Sequence, residues 1–180
     1  MLNEGSRLQW FAAYTRSHHE KTAAQHFGNR SIEHFVPTYE TVRTWKDRRK
    51  RLSLPLFPGY VFVRVALEQR LSVLVVPGVV RLVGFDCRPV ALPDEEIETL
   101  RKVVKYRLGA EPHPYFAAGR KVRITRGALQ GLEGVLLRKK GRVRLLLSID
   151  LIRQSAVVEL DSADVELVLG STRSAVSAPA

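Results

Sequence analysis

Cysteine is almost missing from this chain. Cys87 stands alone among 180 residues, which excludes an internal disulfide and matches the usage of a reducing compartment. Histidine is nearly as scarce: the five, at 18, 19, 26, 34 and 113, show no His-x-x-x-His spacing and no cysteine partner spaced for a metal, and neither a P-loop nor a nucleophile elbow occurs. No catalytic site, no metal and no cofactor is therefore expected, and His18-His19-Glu20 reads as exposed capping at a helix start. Long hydrophobic runs are missing too. Apolar runs such as residues 145–147 and 73–77 are far too short to span a bilayer, and residues 1–7 carry no apolar signal core. A cytoplasmic monomer without membrane contact is expected. Residues 171–180 are small, polar and proline-containing, a tail expected to be disordered because it has too little apolar surface to offset its ordering entropy.

What the chain has in excess is positive charge. Lysine and arginine number 29 against 18 acids, a net +11, and the pI is near 10.3, which favours contact with nucleic acid or an acidic partner surface. Residues 1–110 hold 18 basic and 11 acidic residues, 18 − 11 = +7, and residues 111–180 hold 11 and 7, 11 − 7 = +4. The first part carries more of the field.

Along the chain, residues 8–14 are apolar and aromatic enough for a strand, and Ser17 followed by Glu20 is a capping-box pattern opening a helix that Gly28 ends. A second strand spans residues 32–36. Residues 39–51 are dominated by charge and read as an exposed arm. The clearest strand is 59–65, Gly-Tyr-Val-Phe-Val-Arg-Val, followed by a short apolar helix over 67–75, a strand over 79–85, and a helix from Pro93 with Ile97, Leu100 and Val104 on one face. This order is a split βαβ, ferredoxin-like domain with an additional helix, an α+β unit over residues 1–107. Residues 108–118, with two prolines and no periodicity, read as a semi-rigid linker. Residues 119–170 offer five short strands, at 121–125, 134–138, 143–149, 156–160 and 165–168, the number and spacing of a small SH3-like barrel, although 129–137 and 145–152 are leucine-rich enough to be read as helix.

Three stretches resemble the NusG family, and in particular its operon-specific paralogues. They are Trp10-Phe-Ala-Ala-Tyr-Thr-Arg16 with His19-Glu20-Lys21, then Pro55-Leu-Phe-Pro-Gly-Tyr-Val-Phe-Val63, and Gly119-Arg-Lys-Val-Arg-Ile-Thr-Arg-Gly127 with Gly131-Leu-Glu-Gly134-Val135. The third is similar to a KOW motif. Its Val122 and Ile124 alternate with Lys121, Arg123 and Arg126, and its glycines 127, 131 and 134 allow turn conformations. The resemblance implies a non-catalytic transcription elongation factor whose N-terminal domain docks an apolar patch on the RNA polymerase clamp and modulates pausing, termination or antitermination. Matching positions are Tyr14, Phe57, Pro58, Tyr60 and Phe62. Tyr60 and Phe62 share a strand face opposite Val61 and Val63, and the aromatics are expected outward with the valines in the core.

Nucleic acid of the elongation complex has a candidate contact in Arg43, Lys46, Arg48, Arg49, Lys50 and Arg51, six cations against Asp47 alone, beside Trp45, whose ring can stack on an unpaired base. A solvated hairpin tip explains the same run equally well. Arg16, after the first strand, matches a basic family position near upstream DNA, and the turn around Lys140 is a further charged loop. The family's barrel recruits the ribosome or termination factor Rho. Here Gly127-Ala128-Leu129 replaces Gly-Pro-Phe, and Ile149-Asp-Leu-Ile152 stands at a Phe-Gly pair, so a specialised role is expected, with Leu129 and Ile152 as an altered apolar patch. The alternative is a ribosome- or RNA-binding KOW protein. A nuclease would need Asp94, Glu95 and His19 to converge.

Overall fold

In the computed structural model, which describes residues 7–45, 48–86, 88–106, 110–114, 121–127, 129–139, 142–160 and 164–167, the aromatic N-terminal segment forms β1 (Gln9–Thr15). It is followed by α1 (Glu20–Asn29) and β2 (Glu33–Phe35). The charged run becomes a hairpin, β3 (Thr38–Trp45) and β4 (Arg48–Pro55), leading into β5 (Tyr60–Val65). A 3₁₀ turn (Leu67–Gln69) runs into α2 (Arg70–Leu74) and then β6 (Val79–Leu82). The expected strand over 79–85 stops at Leu82, because a small separate hairpin, β7 (Gly84–Phe85) with β8 (Arg88–Pro89), takes over before α3 (Asp94–Lys105).

The main sheet of this half is antiparallel in the order β2-β5-β1-β6, the ferredoxin-like arrangement. Its two faces follow from strand alternation. Phe11, Ala13, Val61 and Val63 point to one side and pack with Ala23 and Phe27 of α1 and Val73 of α2. Trp10, Ala12 and Phe62 point to the other, under Ile97 and Leu100 of α3. Acids in the first turn of α3 and lysines in its last complement the helix dipole. Its third buried residue is Val103 rather than Val104, and Val103 packs into a different cluster, described below.

The capping box at α1 does not form. His19 occupies the N-cap without a side-chain capping hydrogen bond, its Nδ1 instead meeting the Ser17 carbonyl at 2.9 Å, and Glu20 is buried, its Oε1 accepting the Gly59 N–H at 2.7 Å. Nor does Gly28 end the helix, which runs on to Asn29; the left-handed residue beyond it is Ser31, at φ 55°.

The second sheet holds β9 (Glu111–Pro114), β10 (Lys121–Ile124), β11 (Glu133–Lys139), β12 (Arg142–Ile149), β13 (Gln154–Leu160) and β14 (Val165–Leu167), in the order β14-β10-β11-β12-β13-β9. Without β9 this is the 5-1-2-3-4 order of an SH3-like barrel. The leucine-rich segments are strands, because Leu145 and Leu147 alternate into a core with Val122, Ile124, Leu129 and Val158. Two expectations change. Part of the linker is β9, paired with β13 from Glu111 opposite Val157 to Pro114 opposite Gln154. Gly127 and Gly131 do take positive φ, 83° and 88°, but Gly134 does not; it lies in β11, where a Cβ would come within 2.7 Å of both Leu145 Cγ and the Leu146 carbonyl. Gly134→Ala is therefore expected to destabilise the barrel by about 1–3 kcal/mol by overpacking, readable as a lower denaturation midpoint at unchanged slope.

Candidate functional site

The aromatic face of the first sheet is built in rows across neighbouring strands. One row pairs Phe62 of β5 with Ala12 of β1 and with Phe35 of β2. The next pairs Tyr60 with Tyr14, and Tyr14 with Arg81 of β6. Phe62 anchors the first row, edge-on to Phe57 at 6.1 Å and stacked on Phe35 at 6.5 Å between ring centroids. In the second row the Tyr14 and Tyr60 rings lie 5.4 Å apart and the Arg81 guanidinium sits 5.6 Å from the Tyr14 centroid. The turn Phe57-Pro58-Gly59 closes the end of this face and is fixed by Glu20 and by the Thr15 N–H donating to the Gly59 carbonyl at 2.8 Å. Gly59 has φ +84°, and a Cβ there would press on the Tyr14 ring at 3.3 Å.

The rows are covered unequally. Phe57 and Phe62 are fully buried, whereas Tyr14 is 37% exposed and Tyr60 is half-buried. Strand parity separates the aromatics from Val61 and Val63 as expected, but the aromatic side is not open. Ile149, Ile152 and Ala156 of the barrel enter the same apolar cluster as Trp10, Phe57 and Phe62, with Leu151 packed against it. Gln154 Nε2 donates to the Pro58 carbonyl at 3.4 Å. From the other side, Val103 of α3 enters the barrel core. The barrel is thus seated on the face through the 3₁₀ turn Asp150–Ile152 and the start of β13. Ile152 belongs to this contact, and Leu129 is a correction: it is buried in the barrel core and cannot serve as a surface anchor. Burial raises the Tyr60 hydroxyl above its ordinary range, and Tyr14 adds to this while Arg81 opposes it.

Across the seam two carboxylates approach. Glu96 of α3 is raised above the ordinary carboxylate range, first by burial and then by Asp150 of the barrel turn, and its Oε2 has no hydrogen-bond partner among the described residues. A carboxyl group raised in the seated form binds its proton more tightly there than when exposed. Seating is therefore strongest below the unperturbed value of 4.5, weakens as pH rises from there through the raised value, and is constant above it. Glu96→Gln is expected to flatten this dependence and to strengthen seating at neutral pH, measured as melting temperature against pH for the two proteins.

The charged arm is a regular antiparallel hairpin. Register places Arg43 opposite Lys50 and Trp45 opposite Arg48, in alternation with Val42 opposite Arg51 and Thr44 opposite Arg49. The cations of candidate interest with described side chains are exposed. The arm's base is held by Tyr39 against the aromatic cluster, by the Leu56 N–H donating to the Pro37 carbonyl at 2.8 Å, and by Lys21 Nζ donating to the Ser53 carbonyl at 2.6 Å. Lys46, the Trp45 side chain and the turn around Lys140 lie outside the described residues. Arg16 is exposed at the end of β1, its N–H donating to the Gly78 carbonyl at 2.8 Å. No group of three or more His, Cys, Asp or Glu stands together as a metal site among the described residues, and none of their helices is long and apolar enough to cross a membrane.

Sequence reasoning missed Arg81, Gln154 and the Glu96–Asp150 approach. Arg81 becomes visible only when the β1–β6 register is known, and the other contacts join segments over fifty residues apart.

Comparison with known proteins agrees with this architecture. The family described as "Transcription termination factor nusG" matches residues 8–101. The transcription termination/antitermination protein NusG of Yersinia pestis is 27% identical over 181 residues, covering 92% of this chain and 99% of that protein. The protein of the same description from Escherichia coli K12 is 26% identical over the same shares. A solved structure described as "Domain interaction in Thermotoga maritima NusG" superposes with a TM-score of 0.54 at 21% identity, over 89% of this chain and 97% of that one, a likeness of fold. With more than half its length matched by the family and with both sheets in place, the chain belongs to the NusG family of transcription factors.

Proposed function

We propose that this transcription elongation factor grips the clamp of RNA polymerase with the face formed by Tyr14, Phe57, Pro58, Tyr60 and Phe62, and that the seated barrel holds that face out of use. One observation carries the reading: the apolar cluster of the face is completed by Ile149, Ile152 and Ala156 from the second sheet. An aromatic surface of this kind is what a protein partner would bury as its hot spot. A partner cannot cover the whole face while the barrel is seated, so complete docking of polymerase requires the unseated form. Once bound, the factor favours the processive conformation of polymerase and suppresses pausing. The unseated barrel is then free to recruit the ribosome or Rho through the turn that carries Ile152. The Ile149-Asp-Leu-Ile152 sequence, in place of an aromatic anchor, supports an operon-specific role.

The arm supports contact with nucleic acid of the elongation complex. Arg43 and Lys50 stand directly opposite each other, a like-charge pair that costs stability in the free protein and that a phosphate backbone relieves. To test the docking face, capture of core RNA polymerase is compared between full-length Ile152→Asp, in which the barrel no longer competes, and the double variant Ile152→Asp/Tyr60→Ala. Capture weakened about thirtyfold in the double variant is expected for loss of one hot-spot side chain. Equal capture by both sinks the assignment of the face.

A further inference from the structure

The barrel does not cover the docking face to its end. Phe62 and Ala12 are completely enclosed and Phe35 in the same row partly so, yet one step along the strands, about 6–7 Å, Tyr14 is exposed and so is Arg81. The boundary between covered and open rows runs beside Pro58, whose carbonyl accepts from Gln154 Nε2 at 3.4 Å, close to the longest separation at which such a bond contributes. The open row is continuous with the buried one, because Tyr60 and Phe62 lie on the same face of β5.

We propose that the row Tyr60, Tyr14, Arg81 is a foothold on which an acidic, apolar segment of RNA polymerase lands while the barrel is still seated, and from which it displaces the barrel. The inference rests on the polymerase-docking reading above. The occupant's chemistry follows from the row: two aromatic rings offer apolar area, and the guanidinium above Tyr14 requires a carboxylate beside the apolar side chains. The net +7 of residues 1–110 draws such a segment in and orients it. A partner that holds this row has its next contacts at Pro58 and Tyr60, at the rim of the barrel contact. Displacement then proceeds row by row, with apolar contact exchanged as it is lost, rather than waiting for the whole barrel to lift at once.

The two routes differ in kinetics. Binding of core RNA polymerase to fluorescently labelled full-length protein is followed by stopped flow over rising polymerase concentration, for wild type, Arg81→Glu, Ile152→Asp and Ile152→Asp/Arg81→Glu. Entry through the foothold gives an observed rate that keeps rising with polymerase. Arg81→Glu lowers its slope about tenfold in the wild-type background, within the range that interface charges exert on association. In the Ile152→Asp background, where the whole face is open, the same change lowers it no more than about threefold. A rate that levels off at a plateau indifferent to Arg81→Glu means that the barrel opens unaided, and overturns the foothold. Equal slope reductions in both backgrounds also overturn it, since Arg81 would then serve docking in general. Absence of binding by Ile152→Asp, with its fold intact by circular dichroism, removes the docking reading itself.

Discussion

Ile152→Asp is expected to raise the affinity of the full chain for core RNA polymerase by one to two orders of magnitude. The side chain is 6% exposed and sits in the cluster shared by the barrel and the proposed docking face. A carboxylate there must either be desolvated, at several kcal/mol, or leave the contact. The contact itself is modest. Three enclosed aliphatic side chains contribute on the order of 4–8 kcal/mol from burial, from which the ordering of the barrel against the sheet must be subtracted. A free protein with roughly 1% of its molecules unseated follows from a gap of about 2.7 kcal/mol. Apparent affinity scales with the competent fraction, so releasing the barrel yields up to about a hundredfold. Titration by fluorescence anisotropy measures the affinity, and small-angle scattering reports whether the barrel has left. Unchanged affinity with the barrel demonstrably released would mean that seating does not compete with polymerase.

Neutralising the arm is expected to have the second large effect. Replacing Arg43, Arg48, Arg49 and Lys50 together by Gln removes four exposed cations from the two faces of one hairpin. If each meets one phosphate of a single strand, the slope of log affinity against log salt becomes shallower by about 4 × 0.7, or roughly 2.8, and affinity near 0.1 M salt falls about 10²- to 10³-fold. The fold should not suffer. Removing the opposed Arg43–Lys50 pair is neutral or mildly stabilising, so a melting temperature that falls together with the affinity would point to unfolding instead. A salt slope that stays the same assigns the arm to solvent. Trp45→Ala, tested separately, should cost about 1–3 kcal/mol on a single strand if its ring stacks.

Which of these features could be read from the sequence depended on how far apart the interacting residues lie in the chain. The stretch from Pro55 to Val63 makes the aromatic face legible, since β5 alternation alone sorts Tyr60 and Phe62 from Val61 and Val63. It could not show what covers that face, because Ile149, Ile152 and Ala156 come from about ninety residues later. An apolar residue in a loop looks the same in sequence whether it turns outward or inward, and Leu129 turns into the barrel core. The buried stripe of α3 was read one residue off at its C-terminal end. The helix has a neighbour on two sides, Ile97 and Leu100 meeting the first sheet and Val103 the barrel, and a single-face pattern cannot express that. Two prolines argue against a strand at residues 111–114, yet among the described residues β9 pairs only with β13, and at a sheet edge a missing N–H can face away from the ladder.

The placement of β9 also sets the length of a leash. Between Tyr106, just past α3, and Glu111, where pairing with β13 begins, the chain advances five residues; to Lys121, where the barrel proper begins, it advances fifteen. At about 3.3–3.6 Å per extended residue these spans reach roughly 17 Å and 50 Å. A barrel lifted from the aromatic face with β9 still zipped to β13 is therefore tethered by a span of about one strand-length from the helix end, at a local concentration that favours its return. Unzipping four residues, two of them prolines that donate no hydrogen bond, triples the radius and lets the barrel search for a partner well away from the surface it had covered.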